Sequence, residues 1–357
     1  MKTHIITVDH QYPDMDKISY CASVLRQGGL VVFPTETVYG IAADFNNEQA
    51  IERLRAVKKR SADKPFSILV AQRAKIFHLT DSNEPVLYKF IDRFWPGPLT
   101  VVVASKGSRE DRKTLGVRMP DHMVALNLIQ EAERILAAPS ANLEGHVPPR
   151  TCQEALKDLD GLVDVALDGG PSSIGIGSTV VDFTQPPPRI IREGAIPQDE
   201  VNRIIRQKTV LFVCTGNSCR SVMAEYLLKK TLGSRSDVEV VSAGTSVFIR
   251  SQASQETVEV LKKEGIDAAN HQSQPINSIL LKKADLILVM TRAHRYQILE
   301  KVPEVEKRMY LLREFAHIPR GVASDLDVSD PIGKSYQAYT ECFGIIKEAI
   351  EKIVNLI

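Results

Sequence analysis

From residue 208 onward, strand-sized apolar runs alternate with helical stretches, and this rhythm constrains the fold more than any other feature of the sequence. The runs Thr209–Val213, Val238–Val241, Ala284–Met290 and Arg308–Leu311 read as strands. Ser221–Leu232, Gln255–Glu264, His294–Glu300 and Ser335–Ile357 read as helices. Parallel strands require such crossovers, so the alternation predicts a doubly wound, four-stranded parallel α/β domain. Upstream the pattern is less regular. Gly29–Phe33, Leu99–Ala104, Thr179–Phe183 and Arg189–Ile191 read as strands among Pro- and Gly-rich turns, with a helix over Glu48–Lys59. The polar, strand-free segment 197–208 reads as a linker or short bridging helix. The expected division is therefore a first domain over 1–200, a linker over 201–207 and a second domain over 208–357, and 357 residues suffice for two cores.

The formal charge of +1 excludes a general pull toward nucleic acid or membrane, so any basic site must be a local cluster. Apolar runs such as Leu286–Met290 are too short to cross a bilayer, and the N-terminus lacks the apolar core and cleavage site of a secretory signal. Five unevenly spaced cysteines suit a reducing cytosol better than a disulfide framework, so a cytoplasmic protein is expected.

The run CTGNSCRS at residues 214–221 sits where the first strand of the second half gives way to a helix. Ligands bind at that carboxyl edge in open α/β sheets. Backbone N–H groups between Cys214 and Arg220 can curl round a phosphate, aided by the N-terminus of the helix. Arg220 can grip two phosphate oxygens in its planar fork, and the positive surroundings favour the thiolate a cysteine nucleophile needs. Gly216 permits the tight turn, Asn217 can brace the loop, and Ser221 can donate to the thiolate. A buried structural cysteine beside a surface arginine is the plainer reading of Cys-x5-Arg; the strand–loop–helix context favours the phosphate loop. Asp330, followed by Pro331, is the candidate acid for the leaving group, although an isolated Asp-Pro usually starts a turn.

Together with Ser242-Ala-Gly-Thr245, Val289-Met-Thr291 and His294, these motifs resemble the low-molecular-weight protein tyrosine phosphatase family over residues 208–357. The resemblance implies that Cys214 forms a phosphocysteine, Arg220 binds phosphate, Asp330 is the general acid, and no cofactor is used. It also implies that Cys219 traps oxidised Cys214 as a reversible disulfide. Where tyrosine phosphatases of this family carry a bulky aliphatic residue and aromatic residues, this chain has Ser218 and Ile332-Gly333. A small hydroxyl there looks more like the bacterial branch acting on phosphoarginine. Arsenate reductases on the same fold share the loop but need two further cysteines after the third strand, and residues 284–315 contain none.

In the first half, Pro34–Gly40 follows a strand directly with the hydroxyls of a ligand-binding turn, and Lys58, Arg60 and Lys64 form a basic cluster. Ser140 and Asn142 lie in a turn suited to phosphate or metal-bound water. Taken singly, these read as a solvated helix end and ordinary turn formers. Their order, with Phe94–Leu99, Val117–Pro120, Gly177–Thr179 and Arg192–Ala195, resembles the YrdC-like family over roughly residues 10–200. That resemblance implies a twisted open α/β sheet and formation of threonylcarbamoyl-AMP from L-threonine, bicarbonate and ATP, a step toward the t6A modification of tRNA. It places Lys58, Arg60, Lys64, Thr114, Ser140, Asn142 and Arg192 on ATP, and Thr35, Arg118 and Ser178 on threonine. Mg2+ is expected with the nucleotide and no metal bound by the protein itself; tRNA-modification proteins are the expected partners. Longer members carry a histidine near the position of Ile68 and Leu69, and append a different C-terminal domain. Concave basic surfaces of this fold also suit tRNA or double-stranded RNA, so binding without turnover is the alternative.

Overall fold

The computed structural model describes residues 2–61, 64–107, 113–316 and 326–357. By internal packing the chain divides into two compact units, one of residues 1–82 with 90–205, the other of 206–357 with 83–89.

In the first unit, ten strands form one mixed sheet in the order His4–Thr7, Val165–Asp168, Val31–Phe33, Gly40–Asp44, Leu136–Ala137, Ile68–Leu69, Thr114–Arg118, Leu99–Ala104, Thr179–Asp182, Arg189–Arg192. Side chains alternate across a pleated strand. Accordingly Val31 and Phe33 enter a core with the helices Met15–Arg26 and Met123–Ala132, while Val32 enters another with Glu48–Lys58 and Cys152–Leu159. Val31–Phe33 pairs antiparallel with Gly40–Asp44, so the segment 34–39 is a hairpin connection. The segment 197–208 contains the helix Gln198–Arg206, with Val201 and Ile204 buried.

In the second unit four strands lie parallel in the order Val238–Gly244, Lys208–Cys214, Leu286–Val289, Met309–Leu311. The first strand in sequence occupies an interior position, and its alternation divides two cores. Val210, Phe212 and Cys214 face the core that takes in Tyr339, Phe343 and Ile350, while Leu211 and Val213 face Leu280, Leu281 and Ile298. Helices cover both faces, as a parallel sheet requires. The helix Ser278–Lys283, capped by Asn277, is short enough to have escaped the sequence pattern. Among the described residues no helix is long and apolar enough to cross a membrane.

Candidate active sites

Arg60, Ser140, Arg118, Ser178 and Arg192 line one cavity of about 150 Å³ in the first unit, with Thr100, Ser67, Phe66 and Val38 among their neighbours. Arg118 stands at the end of its strand and is buried. Arg192 ends the last strand of the sheet and donates to the Ser178 carbonyl at 2.8 Å and its hydroxyl at 3.0 Å. That hydroxyl also meets Thr100 Oγ1 at 2.8 Å. Gly194 allows the close approach, because a Cβ there would sit 2.4 Å from the Gly177 carbonyl oxygen. Burial, followed by the charges of Arg118 and Arg60, pulls the Arg192 guanidinium below its ordinary value. Like charges gathered this way repel one another unless an anion joins them.

The other expected residues lie around this cavity rather than in its wall. Lys58 is 2% exposed, and its ammonium donates to the carbonyls of Ser140 at 2.5 Å and Asn142 at 2.6 Å. Burial and the Arg60 charge lower it to about 8. It pins the turn on which Ser140 stands. Lys64 is exposed and pairs with Glu144 at 2.5 Å. Asn142 donates to the carbonyls of Leu143 and His146, leaving its buried Oδ1 without a partner. Thr35 folds onto its own hairpin, donating to the Val38 carbonyl at 2.6 Å. Thr114 is exposed at the opposite end of the strand from Arg118. Glu36, absent from the sequence reading, forms a 2.7 Å ion pair with Arg118.

In the second unit, Cys214 ends its strand and Arg220 begins the next helix, as a phosphate loop requires. Cys214 Sγ lies 2.9 Å from Ser221 Oγ. Asn217 takes the left-handed conformation at φ 52° and braces the loop. Its amide donates to Ser221 Oγ at 3.0 Å and Ser242 Oγ at 2.7 Å, while its Oδ1 accepts from the Gln274 N–H at 2.9 Å. His271 Nε2 meets the Asn217 carbonyl at 2.9 Å, a support that no motif signalled. Gly244, under the loop, is obligatory in size, since a Cβ would stand 2.5 Å from the Thr215 carbonyl oxygen. Gly216 and Ser218 lie on the loop between these supports, and the Ser218 carbonyl accepts from the Ser254 N–H at 3.0 Å.

Arg220 Nη1 donates to the Val328 carbonyl at 3.0 Å, and Nη2 contacts Asp330 and Thr215 Oγ1. The loop arginine and the distant aspartate therefore meet. His294 lies beside them, with Nε2 2.9 Å from Thr215 Oγ1 and Nδ1 2.9 Å from Thr291 Oγ1. All five cysteines are free and buried. Burial pushes Cys21, Cys152 and Cys342 up to about 12, which makes them inert thiols. Cys219 Sγ sits 3.7 Å from Tyr339 Oη and 3.5 Å from Ser254 Oγ.

Residues 23–194 match the Sua5/YciO/YrdC family model, described as "Telomere recombination", and residues 209–357 match that of the low molecular weight phosphotyrosine protein phosphatases. A threonylcarbamoyl-AMP synthase of Pyrococcus abyssi is 35% identical over 254 residues, which is 70% of this chain and 74% of that one. One of Bacillus subtilis is 35% identical over 195 residues, 53% of this chain and 56% of its own length. Among solved structures, P. abyssi Sua5 complexed with L-threonine matches with a TM-score of 0.55 at 30% identity, covering 69% of this chain and 85% of that one.

Proposed function

Since this chain belongs to the threonylcarbamoyl-AMP synthase family and carries a low-molecular-weight phosphatase domain in its second half, we propose that it performs both chemistries at two separate sites. The first site condenses L-threonine, bicarbonate and ATP into threonylcarbamoyl-AMP and releases pyrophosphate and water. The observation that carries this reading is the convergence of Arg60, Arg118 and Arg192 on one small cavity. At about 150 Å³ that cavity is smaller than the ~300 Å³ at which pockets for drug-sized ligands begin, and it suits a small amino acid. Arg118 then takes the threonine carboxylate, and Ser178 and Thr100 face its polar side. The triphosphate follows the basic rim at Arg60 and Lys64, with Arg192 at the junction between the two substrates. There the guanidinium groups offset charge that develops as the carbamate attacks the α-phosphorus. Lys58 holds the Ser140 turn from within, and with Ser140 and Asn142 it belongs to the nucleotide side of the site.

Mg2+ would come with the nucleotide and would offset the charge of its phosphates. No group of three or more His, Cys, Asp or Glu side chains suited to a metal occurs among the described residues, whereas the unpartnered Asn142 Oδ1 fits a hydrated ion carried by ATP. Pyrophosphate release from ATP, measured with and without threonine and bicarbonate, tests the synthase. Release that does not depend on threonine sinks it.

The second site hydrolyses protein phosphate through a phosphocysteine on Cys214, with Arg220 on the phosphoryl oxygens, Asp330 protonating the leaving group and Cys219 guarding oxidised Cys214. The 2.9 Å contact between Cys214 and Ser221 supports a nucleophile held in place by a hydroxyl within the loop. The small Ser218 and the non-aromatic Ile332-Gly333 directly after Asp330-Pro331 favour phosphoarginine over phosphotyrosine. Parallel assays on phosphoarginine and phosphotyrosine peptides test this choice, and faster turnover of phosphotyrosine overturns it.

A further inference from the structure

Two guanidinium groups share one aromatic ring in the wall of the first site. Arg55 Cζ stands 5.1 Å from the centre of the Phe66 ring, and Arg60 Cζ stands 5.4 Å from it. Phe66 is 4% exposed, packs in the core that holds Ala50 and Leu54, and lines the cavity beside Arg60. Arg55 lies in the last turn of the helix Glu48–Lys58, and the Arg60 N–H donates back to its carbonyl at 3.0 Å. The two side chains thus leave neighbouring points of the backbone and converge on the ring. Each also rests on carbonyl oxygens. Arg55 Nη1 donates to Ser61 at 2.6 Å and to Lys64 at 3.3 Å, and Arg60 Nη2 donates to Pro65 at 3.0 Å.

Cations gathered this closely repel one another. The Arg60 charge also acts on Lys58 and Arg192, where it adds to burial in lowering both. An aromatic face attracts a cation through its quadrupole yet carries no net charge, so it holds a guanidinium without competing with phosphate for it. We propose that Phe66 is a positioning residue for ATP. Its ring fixes the Arg60 guanidinium at the cavity wall before the nucleotide arrives and leaves the charge available to the phosphates. Arg55 uses the same ring, but its side chain does not line the cavity, so it steadies the loop. This rests on the synthase reading above.

The test places phenylalanines with one, two or three ring fluorines at position 66 of the full chain. Fluorine drains the negative face of the ring with little change of shape, so packing in the core is kept. KM for ATP, read from threonine-dependent pyrophosphate release, should climb stepwise to about three- to tenfold with the trifluorinated ring, the usual worth of such a contact at a half-buried arginine. KM for threonine should hold. A KM for ATP that stays constant across the series, or rises only in step with that for threonine, would mean that Phe66 merely fills the core and would overturn the proposal. Arg55→Met should leave the stepwise rise in place. Its disappearance there would assign the effect to Arg55 and overturn the proposal equally. Wild type without threonine-dependent release would instead sink the synthase reading itself.

Discussion

Asp330 and Arg220 meet in the second unit, and the contact shapes what removing either should do. A substrate phosphate must take the place of the Asp330 carboxylate on Arg220 Nη2. Asp330→Ala should therefore lower kcat by roughly 10²- to 10⁴-fold for esters with poor leaving groups, the range for a lost general acid. Activated aryl phosphates should be much less affected. Substrate affinity should hold or improve, because the competing carboxylate has gone. Steady-state kinetics across a leaving-group series would show this, and a uniform loss across the series would contradict the acid role. At this scale the phosphate loop could be delimited in the sequence, because its cysteine, its arginine and the braces Asn217 and Ser221 lie within eight consecutive residues. Glu36 escaped notice for the opposite reason. In sequence it is one acid in a hydroxyl-rich turn, and only folding brings Arg118 to it across more than eighty positions.

Elements carry the turn at Ser140 and the pH response of the second unit. Lys58 ends the helix Glu48–Lys58, whose cap Lys59 turns left-handed at φ 52°, and it holds two carbonyls of the 140–142 turn. Lys58→Met leaves those carbonyls without their donor, at about 1–3 kcal/mol for each buried group. Thermal melts should show the loss, together with a raised KM for ATP. An unchanged melting temperature with only kcat reduced would instead place the ammonium on substrate. His294 stands in the first turn of the helix Arg292–Lys301, and Thr291 caps that turn. Burial and the Arg220 charge hold its imidazole at about 4, despite the pull of Asp330, against 6.5 for a free side chain. The folded state therefore binds fewer protons between those values. Stability present above about 6.5 should fall as pH drops toward 4, and His294→Gln should flatten the slope. Urea midpoints at several pH values check this, and an unaltered slope in the variant contradicts it. The same helices show where periodicity was hard to read. Met15–Arg26 buries Ile18, Cys21, Ala22 and Leu25 at helical spacing, but cysteine and alanine are weak signals of a core face. Two-residue strands such as Ile68–Leu69 and Leu136–Ala137 have no period at all. They find their places through pairing with partners far along the chain.

At the scale of the whole molecule, the regular second half was read correctly as four parallel strands because each local signal agreed with the fold. The ten-stranded mixed sheet was not readable strand by strand, since its order interleaves distant segments, and family resemblance supplied what periodicity could not. The synthase residues and the phosphatase residues fall in different units. Each chemistry should therefore survive loss of the other. The most direct measurement uses the full-length Cys214→Ser chain, in which hydrolysis of an aryl phosphate should vanish, and follows pyrophosphate release from ATP with and without threonine and bicarbonate. Release that requires threonine, at the wild-type rate, is the expected result. No threonine-dependent release from either protein, or persistent aryl phosphate hydrolysis in the variant, would contradict the assignment of two chemistries to this chain.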